Sequence, residues 1–327
     1  MINFFQRNPF VTSLVCLALL LILWIPSILF PIAPEALYIK FMMPLQRWMI
    51  EDLQLQGHAG IWTSFIMIAA GACLLFVINR KHLFVTGQEQ LMLLLFILIS
   101  SAEPYTQQFS GSQAAVLFVL LSLHYLFRSI QVIKAISSLF LSAFFTALAA
   151  LFYFPSAVVL LAIFIGILIS RPFAWRDWMA YFSGIATPCF YLFLHHYLRY
   201  GTYTDFWETM IEIIPPPVMP GFTFSIPELL LFVLLTIMAL CSFFPGRPGS
   251  SPIKIKHTRM RQISKCLLLC LLISIAPLNT SQPCIMPLAA IPLSILAANY
   301  YDHIRRKKIF NLLLFFICLA IAGIRIF

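Results

Sequence analysis

The side chains best suited to chemistry gather in one stretch, residues 31–58 (PIAPEALYIKFMMPLQRWMIEDLQLQGH), which holds Glu35, Glu51 and Asp52 in a chain where charge is scarce. A carboxylate placed by a reacting group can take its proton, and two adjacent carboxylates can hold a hard divalent cation through oxygen ligands. Lys40 and Arg47 lie in the same stretch. His195, His196 and Arg199 lead into a second polar stretch, residues 198–226, with Asp205, Glu208 and Glu212. Each group has a plainer reading beside the chemical one. Glu35 can be a carboxylate at a helix end, Glu51 and Asp52 a solvated face, and His195 and His196 interfacial anchors. Glu35 is the first residue to test.

The elements that would position these groups follow from composition. Of 327 residues 61% are hydrophobic and 10% charged, where soluble domains carry about 25% charged residues, so one water-soluble core cannot bury the apolar surface. The expected fold is an all-α, polytopic transmembrane bundle forming a single integral membrane domain over residues 1–327. Apolar runs at about 12–30, 60–78, 88–101, 112–127, 135–153, 155–170, 177–197, 227–244, 265–278, 284–299 and 309–325 give eleven spans. The first is longer than a signal-peptide core and lacks a small-x-small cleavage site, so it reads as a retained helix. Residues 36–50 read as an amphipathic helix lying in the interface. The runs at 88–101 and 112–127 are short for a crossing, which predicts helices that are tilted, partly re-entrant or shielded by protein around the polar SAEPYTQQFSGSQ connection.

Charge orients the bundle. A cytoplasmic N-terminus puts nearly all Lys and Arg inside, most of them in Asn79–His82, the 245–265 loop and the DHIRRKK segment. Lys40, Arg47, Arg199 and Arg325 remain outside. The acids go the other way, with Glu35, Glu51, Asp52, Glu103, Asp205, Glu208, Glu212 and Glu228 outside, so the outer face suits a metal, a sugar or a cationic partner. The net charge of +10 is therefore a topology signal, and nucleic acid is not expected as a partner. Membrane lipids are, and the basic 245–265 loop can meet anionic lipid or a cytoplasmic protein.

The spans are poor in polar chemistry. None has Asp, Glu, Lys or Arg near its middle, which disfavours a proton- or ion-coupled transporter, and His124 comes closest. The eight cysteines fall within or beside apolar runs without a CxxC pair. Cys266 and Cys270 stand one turn apart with no His or carboxylate in register, so a zinc site is not expected.

The order of features resembles the GT-C glycosyltransferases, polytopic enzymes that transfer sugars from polyprenyl-phosphate donors at an outer-face site. PEALY at 34–38 resembles their acidic-Ala-x-Tyr element after the first helix. SAEPYTQQFSGSQAAVLFVLLSLHYLFR at 101–128 resembles their third-to-fourth helix connection, and residues 141–193, with Pro188, the helices that follow. SQPCIMPLAAIPLSILAANYY at 281–301 resembles their late proline-bearing helix. LFYFP and RPFAWRDW also resemble an inner-membrane protein family of Bacteroidota that names no activity. The resemblance implies a multi-pass protein of the bacterial inner membrane, with Glu35 as the base that takes the acceptor proton. It implies Lys40, Arg47 or Arg199 at the phosphate, joined by His195 and His196, and a divalent cation on Glu51 and Asp52. The chain departs from the pattern at Gln113, where many of these enzymes have an acid, and at Gln282, where a basic or aromatic residue approaches the donor phosphate. Two expectations stand side by side: a divergent transferase of the cell envelope, or a non-catalytic membrane subunit of an envelope-assembly or secretion complex with protein partners.

Overall fold

The computed structural model describes residues 9–29, 43–55, 57–130, 132, 134–171, 175–201, 226–243, 255–275, 285–304 and 307–326. Among these there are helices and no strand. The helices are α1 Pro9–Leu29, α2 Pro44–Glu51, α3 Gly57–His82, α4 Glu89–Ser100, α5 Gly111–Ser129, α6 Ile136–Phe152, α7 Ala157–Ser170, α8 Trp175–Tyr200, α9 Ile226–Phe243, α10 Ile255–Ile275, α11 Met286–His303 and α12 Lys307–Ile326. Four of them, α3, α5, α9 and α12, are long and apolar enough to cross a membrane.

The centre of the bundle is α4. Its 12 residues measure about 18 Å, well short of a hydrocarbon core of about 30 Å. From Leu91 to Ser100 nearly every side chain is buried, under α1, α3 and α11. A helix apolar all round is stable only when covered all round, and here protein does the covering, as the short run at 88–101 predicts.

Side-chain size sets the remaining packing. The α5–α6 contact is tied by hydroxyls, Ser122 Oγ lying 3.0 Å from Ser142 Oγ and 2.6 Å from Thr146 Oγ1, and by Phe118 stacked on Phe145 and Phe152. Hydroxyls and small side chains let apolar helices approach closely without the hydrophobic force that water supplies. Gly184 brings α8 against α6, where a Cβ would meet the Phe140 carbonyl oxygen and Ala143 Cβ. The small-residue face containing Ala143 and Ala147 is thus spent inside the chain.

Two sequence boundaries move. The interfacial helix expected over 36–50 is helical from Pro44, the residue whose fixed φ suits a first turn and interrupts an interior. It docks on the protein, burying Gln46 and Ile50, with Trp48 exposed. The basic loop expected over 245–265 is helical from Ile255, ten residues before the apolar run. Met260, Ile263, Leu267 and Leu271 form one buried stripe at helical spacing, and Lys256, Arg259 and Arg261 share its early turns.

Candidate functional site

Polar side chains concentrate where the ends of α1 and α4, the start of α5 and the end of α12 meet. The connection from α4 to α5 builds this site. Ser101 ends α4, Pro104 opens a single turn of 3-10 helix over Pro104–Gln107, and Ser110 caps α5. Gly111 is required there because a Cβ would run into the Phe152 carbonyl oxygen at the end of α6.

Two glutamines lock the connection. Gln113, fully buried, donates to the carbonyls of Thr106 (2.5 Å) and Gln108 (2.9 Å), and its Oε1 accepts from Ser110 N (2.9 Å) and Ser110 Oγ (2.7 Å). This is a capping box whose amide also holds the preceding loop. Gln107 donates to the carbonyls of Leu23 (3.1 Å) and Ser101 (3.2 Å) and accepts from Ser27 Oγ (2.5 Å) and Arg325 Nη1 (3.1 Å). Both amides use two donors and two acceptors, their full capacity. The departure at Gln113 now has a physical reason. A carboxylate has no proton to give to the Thr106 and Gln108 carbonyls, so an acid at 113 would undo this loop.

Beside the locked amides Glu103 and Arg325 keep unspent polar atoms, as does Gln46 Nε2 next to Gly111. Glu103 is 8% exposed, and among the described residues its Oε2 has no hydrogen-bond partner. Burial, with the Glu228 carboxylate at the start of α9 adding to it, pushes the Glu103 carboxyl up to about 8. It therefore exchanges its proton close to neutral pH, where acid–base catalysis is most effective. Arg325, at the end of α12, donates through Nη1 to Gln107 and through Nη2 to the Ser101 carbonyl at 2.8 Å. Its Nε is buried without a partner, and no ion pair joins it to a carboxylate among the described residues. Trp24 Nε1 donates to Ser101 Oγ at 3.0 Å and closes the α1 side. The result is a protonatable carboxyl and a cation without a counter-ion, held on one short loop.

The sequence-derived candidates fall elsewhere. Glu35, Lys40 and Gln282, with Asp205, Glu208 and Glu212, lie outside the described residues. Arg47 and Glu51 form an exposed pair one turn apart on α2, 3.9 Å between Nε and Oε1, and Asp52 is exposed beside them. Among the described residues no three His, Cys, Asp and Glu side chains gather as a metal ion would require. His195, exposed, and His196, half-buried, stand near the end of α8, with Arg199 in its last turn. Glu103 and Arg325 are visible in the sequence as outer charges and nothing more. Their signal is positional: an acid in a polar turn after a helix too short to cross a membrane, and a cation on the side where the charge pattern leads few to be expected.

At the opposite helix ends lies a second polar group. His82 Nε2 and His124 Nδ1 are 3.1 Å apart, joining α3 to α5, and Asn79 pins the turn beyond α3 by exchanging two hydrogen bonds with Val85 (2.9 and 3.1 Å). His124 is thus hydrogen-bonded packing between helices.

The fold and site together define a class: an all-helical protein with four helices able to cross a membrane and a buried polar loop at one end. No protein-family model matches the chain, and neither a curated protein nor a solved structure matches it.

Proposed function

We propose that this chain is an eleven-span protein of the bacterial inner membrane, GT-C-like in arrangement, that transfers a sugar from a polyprenyl-phosphate donor at its outer face. The observation that carries the reading is the juxtaposition of Glu103 and Arg325: a buried carboxyl and a half-buried guanidinium, each with an unpartnered polar atom, around the Ser101–Gln107 loop. A half-buried guanidinium without a counter-ion among the described residues is poised to accept one, and a donor phosphate supplies it. Glu103 and Glu35 are the two candidates to handle the acceptor proton. Support for the topology comes from contacts at matching levels. Ser27, Gln107 and Arg325 meet at the expected outer ends, where Pro227 also packs beside Gly323. Arg259 donates to the Ser170 carbonyl, and Asp302 lies beside Gly87, at the expected inner ends.

The test is transfer from polyprenyl-phosphate sugars by the purified protein in lipid. Glu103→Gln is expected to lower the rate by about 100-fold or more with the unfolding temperature near neutral pH raised above that of wild type. Turnover at the wild-type rate would sink the role of Glu103. A silent Glu35→Gln alongside it would sink the transferase reading.

One observation favours the second reading, a non-catalytic subunit of an envelope-assembly or secretion complex. Gln113, which replaces the acid expected from the resemblance, is wholly consumed in holding the loop. On that reading Glu103→Gln and Glu35→Gln leave function intact, and changes in residues 198–226 or 245–265 break association with partners.

A further inference from the structure

Gln107 Oε1 joins three segments of the chain. The residue lies in the 3-10 turn after α4, and its oxygen accepts from Ser27 Oγ on α1 (2.5 Å) and from Arg325 Nη1 on α12 (3.1 Å). Elsewhere α12 packs along α9, so this bond and the one from Arg325 Nη2 to the Ser101 carbonyl (2.8 Å) tie the end of α12 to the loop between α4 and α5. The amide cannot turn round. Its Nε2 is held by the carbonyls of Leu23 and Ser101, which leaves Oε1 to face Ser27 and Arg325.

Both acceptors that hold Arg325 are uncharged. The Ser101 carbonyl belongs to the cap of α4, where a helix end has partial negative character, and a cation there is a familiar cap. A cap needs one bond. The second, from the other terminal nitrogen to Gln107, fixes the rotation of the guanidinium plane as well. A carboxylate at 107 would pair with the guanidinium and neutralise it, whereas an amide orients the cation and leaves its charge in place. Nη1 and Nη2 each keep a second N–H beyond the one used here. Arg325 is half-buried and not sealed, and among the described residues the ion pairs fall on Arg47, Arg80 and Arg171.

We infer that Gln107 is a positioning residue for anion recognition: its amide oxygen, with the Ser101 carbonyl, fixes the plane of the Arg325 guanidinium without neutralising it, so that the cation takes a phosphate oxygen. The phosphate is that of the donor named above, and for the identity of the ligand this role rests on that reading. A lipid-linked and a soluble phosphate present the same oxygens, and different probes separate them.

The experiment follows the unfolding temperature of the full-length protein in detergent during titration with farnesyl phosphate, with farnesol as the uncharged chain, and with inorganic phosphate at constant ionic strength. Wild type is expected to gain about 5 °C from a phosphate-bearing probe beyond any gain from farnesol, and Arg325→Gln to lose that gain. A gain from farnesyl phosphate alone assigns a lipid-linked phosphate, and an equal gain from inorganic phosphate assigns a soluble one. Gln107→Met and Gln107→Glu both lose the donations to Leu23 and Ser101, so both start from a lower unfolding temperature. The apparent dissociation constant is what separates positioning from packing. It is expected to rise about tenfold in Gln107→Met, where the guanidinium is no longer oriented, and further in Gln107→Glu, where the carboxylate takes the place of the anion. Ser27→Ala, which removes one bond to the amide, is expected to stay within about threefold of wild type. Arg325→Lys keeps the charge but not the plane in a chain with Gln107 intact, and is also expected to bind about tenfold more weakly. Wild-type affinity in both Gln107 variants or in Arg325→Lys overturns the proposal, as does a gain kept by Arg325→Gln or absent from wild type. Phosphate binding with this pattern but no sugar transfer sinks the transferase reading and leaves the role of Gln107 standing.

Discussion

The two ends of the bundle solve the burial of polar groups in opposite ways. At one end the Gln107 and Gln113 amides are saturated, and among the described residues Glu103 Oε2, Arg325 Nε and Gln46 Nε2 beside Gly111 are left without partners. At the other, a short turn is pinned by one asparagine, and two imidazoles join α3 to α5. A saturated network fixes geometry, because each amide can point only one way. A single hydrogen bond between two rings fixes less, because either ring can be donor or acceptor. The first kind of site suits positioning and proton transfer, and the second joins two helices.

The sharpest way to break the contrast is Gln113→Glu. It removes both donors to the 106–108 carbonyls and buries a charge, with an expected loss of about 3–5 kcal/mol in reversible unfolding of the protein in detergent. At the other end Asn79→Ala deletes both bonds to Val85 next to Leu83, whose φ of 55° that clamp sustains. A smaller loss of about 1–3 kcal/mol is expected there. Equal losses at the two ends would contradict the distinction between a network and a pinned turn.

Glu103→Gln sharpens the comparison through pH. The folded carboxyl sits at about 8 against an ordinary value of 4.5. Between these values the folded state binds the proton more tightly than the unfolded one, so the wild-type chain loses stability as pH rises. The variant lacks this loss. Unfolding curves are expected to show Glu103→Gln gaining on wild type from about pH 4.5 to about 8, then running parallel above. A pH-independent difference would mean that Glu103 titrates alike folded and unfolded. The smallest effect belongs to Glu51→Gln. Its pair with Arg47 is exposed at 3.9 Å, and the change is expected to stay within about 0.5 kcal/mol, checked by the same unfolding measurement.

Most helices were legible because the code for them is local. Apolar runs mark helix positions within a few residues, whereas Pro44 and the Ser110–Gln113 box, which set two helix starts by short-range sterics and hydrogen bonding, were not read as starts. The start of α10 was misread for a related reason, since a stripe of buried residues interleaved with lysine and arginine does not read as an apolar run. The candidate site was much less legible. Gln107 and Arg325 are 218 residues apart, and His82 and His124 are 42 apart, so no spacing rule relates them.

What the amino-acid sequence determines alone is the class, an all-helical chain too apolar for a soluble core, and the position of its helices, because hydropathy and capping act within a few residues. What the tertiary structure decides is which polar groups are used up and which are left over. Gln113 is consumed in a cap, and Glu103 and Arg325 keep unpartnered atoms within the same network. Burial and hydrogen-bond saturation are sums over neighbours from distant parts of the chain, and those neighbours exist only once α1, α4, α5 and α12 have packed together.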